Sequence, residues 1–129
     1  MSEVRVFKID YNKVLKELKN YANEKIKEGA LAIILIGSLA RGDYTAFSDA
    51  DLVIIVENDK RRPIDRLIGY IDPTLSIDVE PRVYTYNEMI KMAYRKDKLI
   101  KEIIEYGILL AGDRSIIDEL RKYYEKSKA

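Results

Sequence analysis

The chain has 129 residues, which is the size of one domain with its own hydrophobic core. Apolar residues make up 47% of it and charged residues 35%, and 23 Lys and Arg nearly balance 22 Asp and Glu, for a net charge of +1. This balance argues against a dedicated nucleic-acid binder, which normally has a basic excess. Neither Cys nor His occurs, so disulfides, cysteine nucleophiles, imidazole bases and the usual zinc sites are excluded.

The same features predict one soluble unit. We expect a single domain over residues 1–129, because the chain shows no linker, repeat or low-complexity segment. Residues Met1–Arg5 lack the apolar core of a signal peptide. The longest apolar run, Ala30–Ile36, is too short to span a bilayer. A cytoplasmic protein without membrane contact is therefore the expectation.

The first half of the chain predicts a helix followed by two buried strands. Asp10 can cap a helix whose apolar residues recur every three or four positions, and Gly29 is a natural helix end. The continuous apolar runs Leu31–Ile36 and Leu52–Val56 are typical of strands buried on both faces. The loop between them is expected to hold a short helix at Leu39–Arg41.

The second half predicts one more clear strand, followed mainly by helices. Leu75–Glu80 alternates apolar and polar residues, as in a strand with one polar face, and Pro81 should end or break it. The other expected elements are helices at 64–71 (after Pro63), 86–94 and 98–106, a short strand at 108–110, and a last helix capped by Asp113. This order predicts an α/β fold of the two-layer α+β type, with a short mixed sheet of three to four strands packed with helices.

Two polar pairs lie between the first two predicted strands: Gly37-Ser38 and, ten residues later, Asp49-x-Asp51. On an extended chain Asp49 and Asp51 point to the same side, and such paired carboxylates suit Mg²⁺. Gly37 allows a tight turn close to a phosphate, to which Ser38 can donate its N–H and hydroxyl. Either pair alone is usually a surface loop or a helix cap, but both at this spacing should arise by chance in about one chain in several hundred.

Asp78 is the third acidic candidate. It lies on the polar face of the third predicted strand and reaches Asp49 and Asp51 if the second and third strands are neighbours. A different register would bring Glu80 to that place instead. The alternative is that this polar face is simply solvated.

Arg41 and the tyrosines have two interpretations each. Arg41 is close enough to Ser38 to contact a bound triphosphate, or it pairs with Asp43 on the surface. The ten Tyr residues could stack on a nucleobase, but their helical spacing is more typical of the edge of a core or of an interface, including one between copies of this chain.

The segments Gly37-Ser38, Ala40-Arg41-Gly42 and Ser48-Asp49-Ala50-Asp51-Leu52, with the triplet Ile77-Asp78-Val79, resemble the signature of the polymerase beta nucleotidyltransferase superfamily. The resemblance is closest to its minimal, single-domain members. It implies that Asp49, Asp51 and Asp78 are catalytic and hold two Mg²⁺ ions. It also implies that Gly37, Ser38 and Arg41 bind the phosphates of ATP or another nucleoside triphosphate.

Minimal members of this superfamily often act as the antitoxin beside a HEPN-domain toxin, and some transfer AMP from ATP to a toxin tyrosine. The resemblance therefore implies Mg²⁺-dependent transfer of a nucleoside monophosphate to a hydroxyl on a HEPN partner. An idle antitoxin that acts by binding, or an enzyme acting on RNA or a small molecule, are the alternatives. Near-zero net charge and the lack of a second domain weigh against RNA and a small molecule as acceptors.

Overall fold

The computed structural model describes residues 10–126, so the segment Met1–Arg5 considered above lies outside it. In chain order the elements are α1 (Tyr11–Lys27), β1 (Ala32–Ile36), α2 (Gly37–Arg41), β2 (Ala50–Val56), a 3-10 helix (Pro63–Tyr70), β3 (Val79–Thr85), α3 (Tyr86–Tyr94), α4 (Lys98–Tyr106), β4 (Ile108–Gly112) and α5 (Ser115–Lys126). No helix in this part of the chain is both long and apolar enough to cross a membrane.

Side chains at the helix starts explain where several helices begin. Asp10 accepts a hydrogen bond from the Lys13 N–H at 3.2 Å, which caps α1 as the sequence predicts. At the start of α3, Thr85 and Glu88 each accept a bond from the other's backbone N–H, which forms a capping box. Asp97 caps α4 through the Leu99 N–H. These local bonds satisfy N–H groups that a helix cannot pair internally.

The four strands form one mixed sheet in the order β3-β2-β1-β4, which confirms the predicted α/β fold with a short mixed sheet. β1 is antiparallel to both β2 and β4, while β2 and β3 are parallel. Parallel pairing places the first residues of β2 and β3 at the same end of the strands. Because β1 is antiparallel to β2, the last residue of β1 and the start of α2 lie at that end as well.

Helices cover both faces of the sheet, so the elements form three layers instead of the expected two. Ile33 and Leu35 pack in a core shared with α1, while Ala32, Ile34 and Ile36 pack in a second core with α3, α4 and α5. The physical reason is that β1 and β2 are apolar on both faces. Neither face is stable against water, and each therefore requires its own layer of helices.

The third strand lies later in the sequence than predicted: it is Val79–Thr85, whereas residues 75–78 are irregular. Pro81 lies inside this strand. The Val83 carbonyl, which faces away from β2, accepts a hydrogen bond from the Arg66 side chain at 3.2 Å. Pro81 faces the same way as Val83, so its missing N–H interrupts no bond to β2, and an edge strand tolerates it.

Candidate active site

A close approach between Gly37 and Asp51 forms the centre of the candidate site. Asp51 is the β2 partner of Ile36, the last residue of β1, so Gly37 starts α2 directly beside it. Gly37 has φ +76°, and a Cβ there would overlap Oδ2 of Asp51 and lie 3.1 Å from its Cγ. Only glycine accepts both the backbone angle and the contact. The turn after β1 is therefore packed directly against the Asp51 carboxylate.

Hydroxyl groups connect the turn to the acidic segment. The Ser38 hydroxyl, which is half-buried, donates to Oγ of Ser48 at 3.1 Å. Oγ of Ser48 also accepts the Thr45 N–H at 2.8 Å. Since Ser48 directly precedes Asp49, these bonds hold Ser38 and Asp49 near each other across the loop formed by residues 42–49. The predicted Gly37-Ser38 and Asp49-x-Asp51 pairs thus do come together.

The third carboxylate beside this pair belongs to Glu80. In the parallel register Asp51 lies opposite Glu80. Hydrogen bonding with Asp51, then with Asp49, together with the charges of both, raises the pKa of Glu80 above its usual value. Three acidic side chains therefore approach one another at the start of β2 and β3. Within residues 10–126, however, no three such side chains adopt a ready-made arrangement for a metal ion.

Asp78, the candidate favoured from the sequence, lies just before β3. Its carbonyl oxygen accepts the Ala50 N–H at 2.8 Å. Its side chain is exposed and makes no hydrogen bond or ion pair with the residues that the structure describes. The structure thus brings Glu80, the alternative for a different register, into contact with Asp49 and Asp51, and a catalytic role for Asp78 stays a prediction.

Arg41 makes two ion pairs. Its Nε lies 3.4 Å from Oδ2 of Asp43, the surface pairing considered above, and its Nη1 lies 2.8 Å from Oε2 of Glu102. Glu102 also accepts the Gly37 N–H at 2.9 Å. Nothing in the sequence indicated Glu102, because it lies 61 residues beyond Arg41 on a helix that shows only an amphipathic pattern. Its contact with the turn depends on how α4 packs.

The site therefore has two chemically distinct sides. Ser38, the second residue of α2, and Arg41, its last residue, offer a hydroxyl and a guanidinium, which are donors for phosphate oxygens. Asp49, Asp51 and Glu80 offer carboxylates, which are ligands for hard divalent cations. Such a combination suits a phosphate ester that binds together with a metal ion.

Comparison with known proteins identifies the family of this chain. Residues 15–124 match the nucleotidyltransferase domain family. Among curated proteins of Methanocaldococcus jannaschii, the candidate protein adenylyltransferase MJ0141 is 30% identical over 100 residues, which cover 74% of this chain and 93% of that protein. A second candidate protein adenylyltransferase from that organism, MJ1305, is 40% identical over 55 residues; these cover 43% of this chain and only 37% of MJ1305.

A solved structure described as a toxin-antitoxin with AMP-PNP shares the fold, with a TM-score of 0.54 and 20% identity over 91% of this chain and 88% of that one. At that identity the likeness concerns the fold alone. The family match, in contrast, extends from α1 to α5 and includes every residue of the site described above. The chain therefore belongs to the nucleotidyltransferase domain family.

Proposed function

We propose that the protein is a Mg²⁺-dependent nucleotidyltransferase that moves AMP from ATP to a hydroxyl group on a partner protein. The observation that carries this proposal is the meeting of Asp49, Asp51 and Glu80 beside the Gly37-Ser38 turn. Family membership supports nucleotidyl transfer. The relatives named as candidate protein adenylyltransferases support AMP as the group and a protein as the acceptor.

The carboxylates fit the divalent cation that such a reaction uses. Close carboxylates repel one another unless a proton or a cation lies between them. Hydrogen bonding with Asp51 and Asp49, and after it their negative charges, raises the pKa of Glu80. We infer that Asp49 and Asp51 hold two Mg²⁺ ions, with a third carboxylate from Glu80 or Asp78. Bound Mg²⁺ would supply charge neutralisation at the phosphates and activation of the attacking hydroxyl.

The chain's own groups would bind and orient the nucleotide. The acceptor oxygen forms a bond to the α-phosphorus of ATP, the bond from that phosphorus to the bridging oxygen breaks, and pyrophosphate leaves. The acceptor proton passes to a carboxylate of the site. Ser38 and Arg41 would hold the departing pyrophosphate by charge-assisted hydrogen bonds. Their contribution is alignment and charge stabilisation.

For the partner we propose a HEPN-domain toxin encoded by a neighbouring gene, whose hydroxyl would be the acceptor. The toxin-antitoxin structure with AMP-PNP supports a toxin as partner and an adenine nucleotide as ligand, since it shares this fold. In this proposal the partner would supply the acceptor side of the site.

The test is incubation of the protein with Mg²⁺, ATP labelled at the α-phosphate, and the neighbouring gene's product. We expect label in the partner, no label after EDTA treatment, and no label with Asp51→Asn. Two matched variants show which residue supplies the third carboxylate of the metal site. If it is Glu80, Glu80→Gln should abolish transfer and Asp78→Asn should leave transfer intact. If the folded protein transfers no nucleotide to its true partner, the proposed enzymatic activity is refuted.

An idle antitoxin is the second candidate, because large apolar side chains are exposed and available for a protein partner. Phe47 in the site loop is 85% exposed, and Ile68 on the 3-10 helix is 82% exposed. This function predicts that the double variant Asp49→Asn with Asp51→Asn still protects cells from the toxin. Loss of protection by a double variant that still binds the toxin would favour the enzyme.

A further inference from the structure

We propose that Glu102 is a positioning residue that holds the phosphate-binding turn and aims Arg41; this inference rests on the proposed function. One carboxylate oxygen, Oε2, accepts from two donors: the Gly37 N–H at 2.9 Å and Nη1 of Arg41 at 2.8 Å. Gly37 and Arg41 are the first and last residues of α2. Glu102 therefore ties both ends of this short helix to α4.

The hydrogen bonds of Glu102 show which groups of the turn it engages. Gly37 is buried, and its N–H donates to Oε2 of Glu102, whose side chain is 29% exposed. Ser38 is half-buried, and the Arg41 side chain is 37% exposed. Ser38 and Arg41 are therefore the groups of the turn that we expect to bind phosphate, while the Gly37 N–H is taken by Glu102.

The anchor for Glu102 is rigid. Its neighbour Ile103 is 1% exposed and Ile100 is fully buried, both in the core between α4 and the sheet. Asp97 caps the start of the helix. A carboxylate on such a helix holds a flexible Arg side chain in one orientation, which lowers the entropy lost when the guanidinium binds phosphate. The unpaired N–H groups of Arg41 remain available for that purpose.

The test measures binding of ATP with Mg²⁺, and of AMP, to the wild type and to Glu102→Ala, Glu102→Gln and Glu105→Ala. Glu105 is the matched control: it lies on the same helix, is exposed, and pairs only weakly with Lys101 at 3.8 Å. We expect the Kd for ATP to rise about tenfold in Glu102→Ala and less in Glu102→Gln, which keeps one acceptor oxygen. The Kd for AMP, which has no β- or γ-phosphate, should change little.

A double-mutant cycle separates positioning from general damage. If Glu102 acts through Arg41, Glu102→Ala should have little effect on ATP binding in an Arg41→Ala background. Equal effects in both backgrounds, or equal losses for ATP and AMP, would overturn the inference. Tighter ATP binding by Glu102→Gln would also overturn it, because Glu102 would then compete with phosphate.

The result for the wild type separates this inference from the proposed function. A wild-type protein that fails to bind ATP with Mg²⁺ would refute the function and the role of Glu102 together. A wild type that binds ATP, with Glu102 variants that bind it equally well, would refute the positioning role alone.

Discussion

Replacing Gly37 by Ala should damage both stability and nucleotide binding, because the new Cβ would enter the space of the Asp51 carboxylate. The φ of +76° by itself costs an L-residue about 1–2 kcal/mol. Forcing an extra carbon against packed atoms adds about 1–3 kcal/mol. The free energy of unfolding should therefore fall by about 2–5 kcal/mol, a large part of the 5–15 kcal/mol or so that is typical of a domain.

Gly42→Ala is the matched control. Gly42 ends the same helix with φ +90°, but a Cβ there would meet no atom within 4 Å. Its free energy of unfolding should fall only by the cost of the backbone angle, about 1–2 kcal/mol. The difference between the two variants isolates the contact with Asp51.

Denaturant unfolding measures the loss of stability, and melting with and without Mg²⁺ and ATP measures binding. Ligands that bind only the folded state raise its melting temperature, and Gly42→Ala should keep most of this rise. Gly37→Ala should lose it, because Asp51 must move to relieve the overlap. The reasoning is refuted if the two variants agree within about 0.5 kcal/mol and respond equally to the ligand.

Three further predictions concern stability away from the site. Arg66→Ala should cost about 1.5–3 kcal/mol in denaturant unfolding, since the Arg66 side chain is 4% exposed and donates hydrogen bonds to Glu88 and the Val83 carbonyl; a loss near zero would contradict this. The hydrogen bond from Arg66, against the effect of burial, lowers the pKa of Glu88. That stabilisation is present above the unfolded pKa near ~4.3 and disappears as pH falls through the folded pKa, so the acid slope of stability should be shallower in Arg66→Ala. Tyr21→Phe should cost about 1 kcal/mol, because the buried Tyr21 hydroxyl donates to the Tyr70 carbonyl; a melting temperature equal to the wild type would rule this out.

Elements set by local chemistry could be predicted from the sequence. Asp10 starts α1 because its side chain reaches an N–H three residues ahead, and such a bond needs nothing distant. The apolar runs predicted β1 and β2, although β2 begins two residues earlier than expected, at Ala50, and so includes Asp51. The spacing of Gly37-Ser38 and Asp49-x-Asp51 likewise indicated a site, because the two pairs lie at the two ends of one short connection between neighbouring strands.

The register of β3 against β2 could not be predicted in the same way. The two strands are parallel and separated by residues 57–78, so no tight turn fixes their pairing. The alternation in Leu75–Glu80 suggested a strand that ends at Pro81, whereas the actual strand runs through Pro81 because the outer edge of the sheet tolerates it. In the observed register Glu80 lies opposite Asp51, and the Asp78 carbonyl accepts the Ala50 N–H.

The amino-acid sequence by itself determined β1, β2, the cap of α1 at Asp10 and the two polar pairs of the site, because each depends on residues close together in the chain. Tertiary structure alone decided the three layers, the approach of Glu80, and the contact of Glu102 with Gly37 and Arg41. The physical reason is distance along the chain. Contacts between residues tens of positions apart depend on how whole helices and strands pack, and residue type and spacing carry little information about that packing.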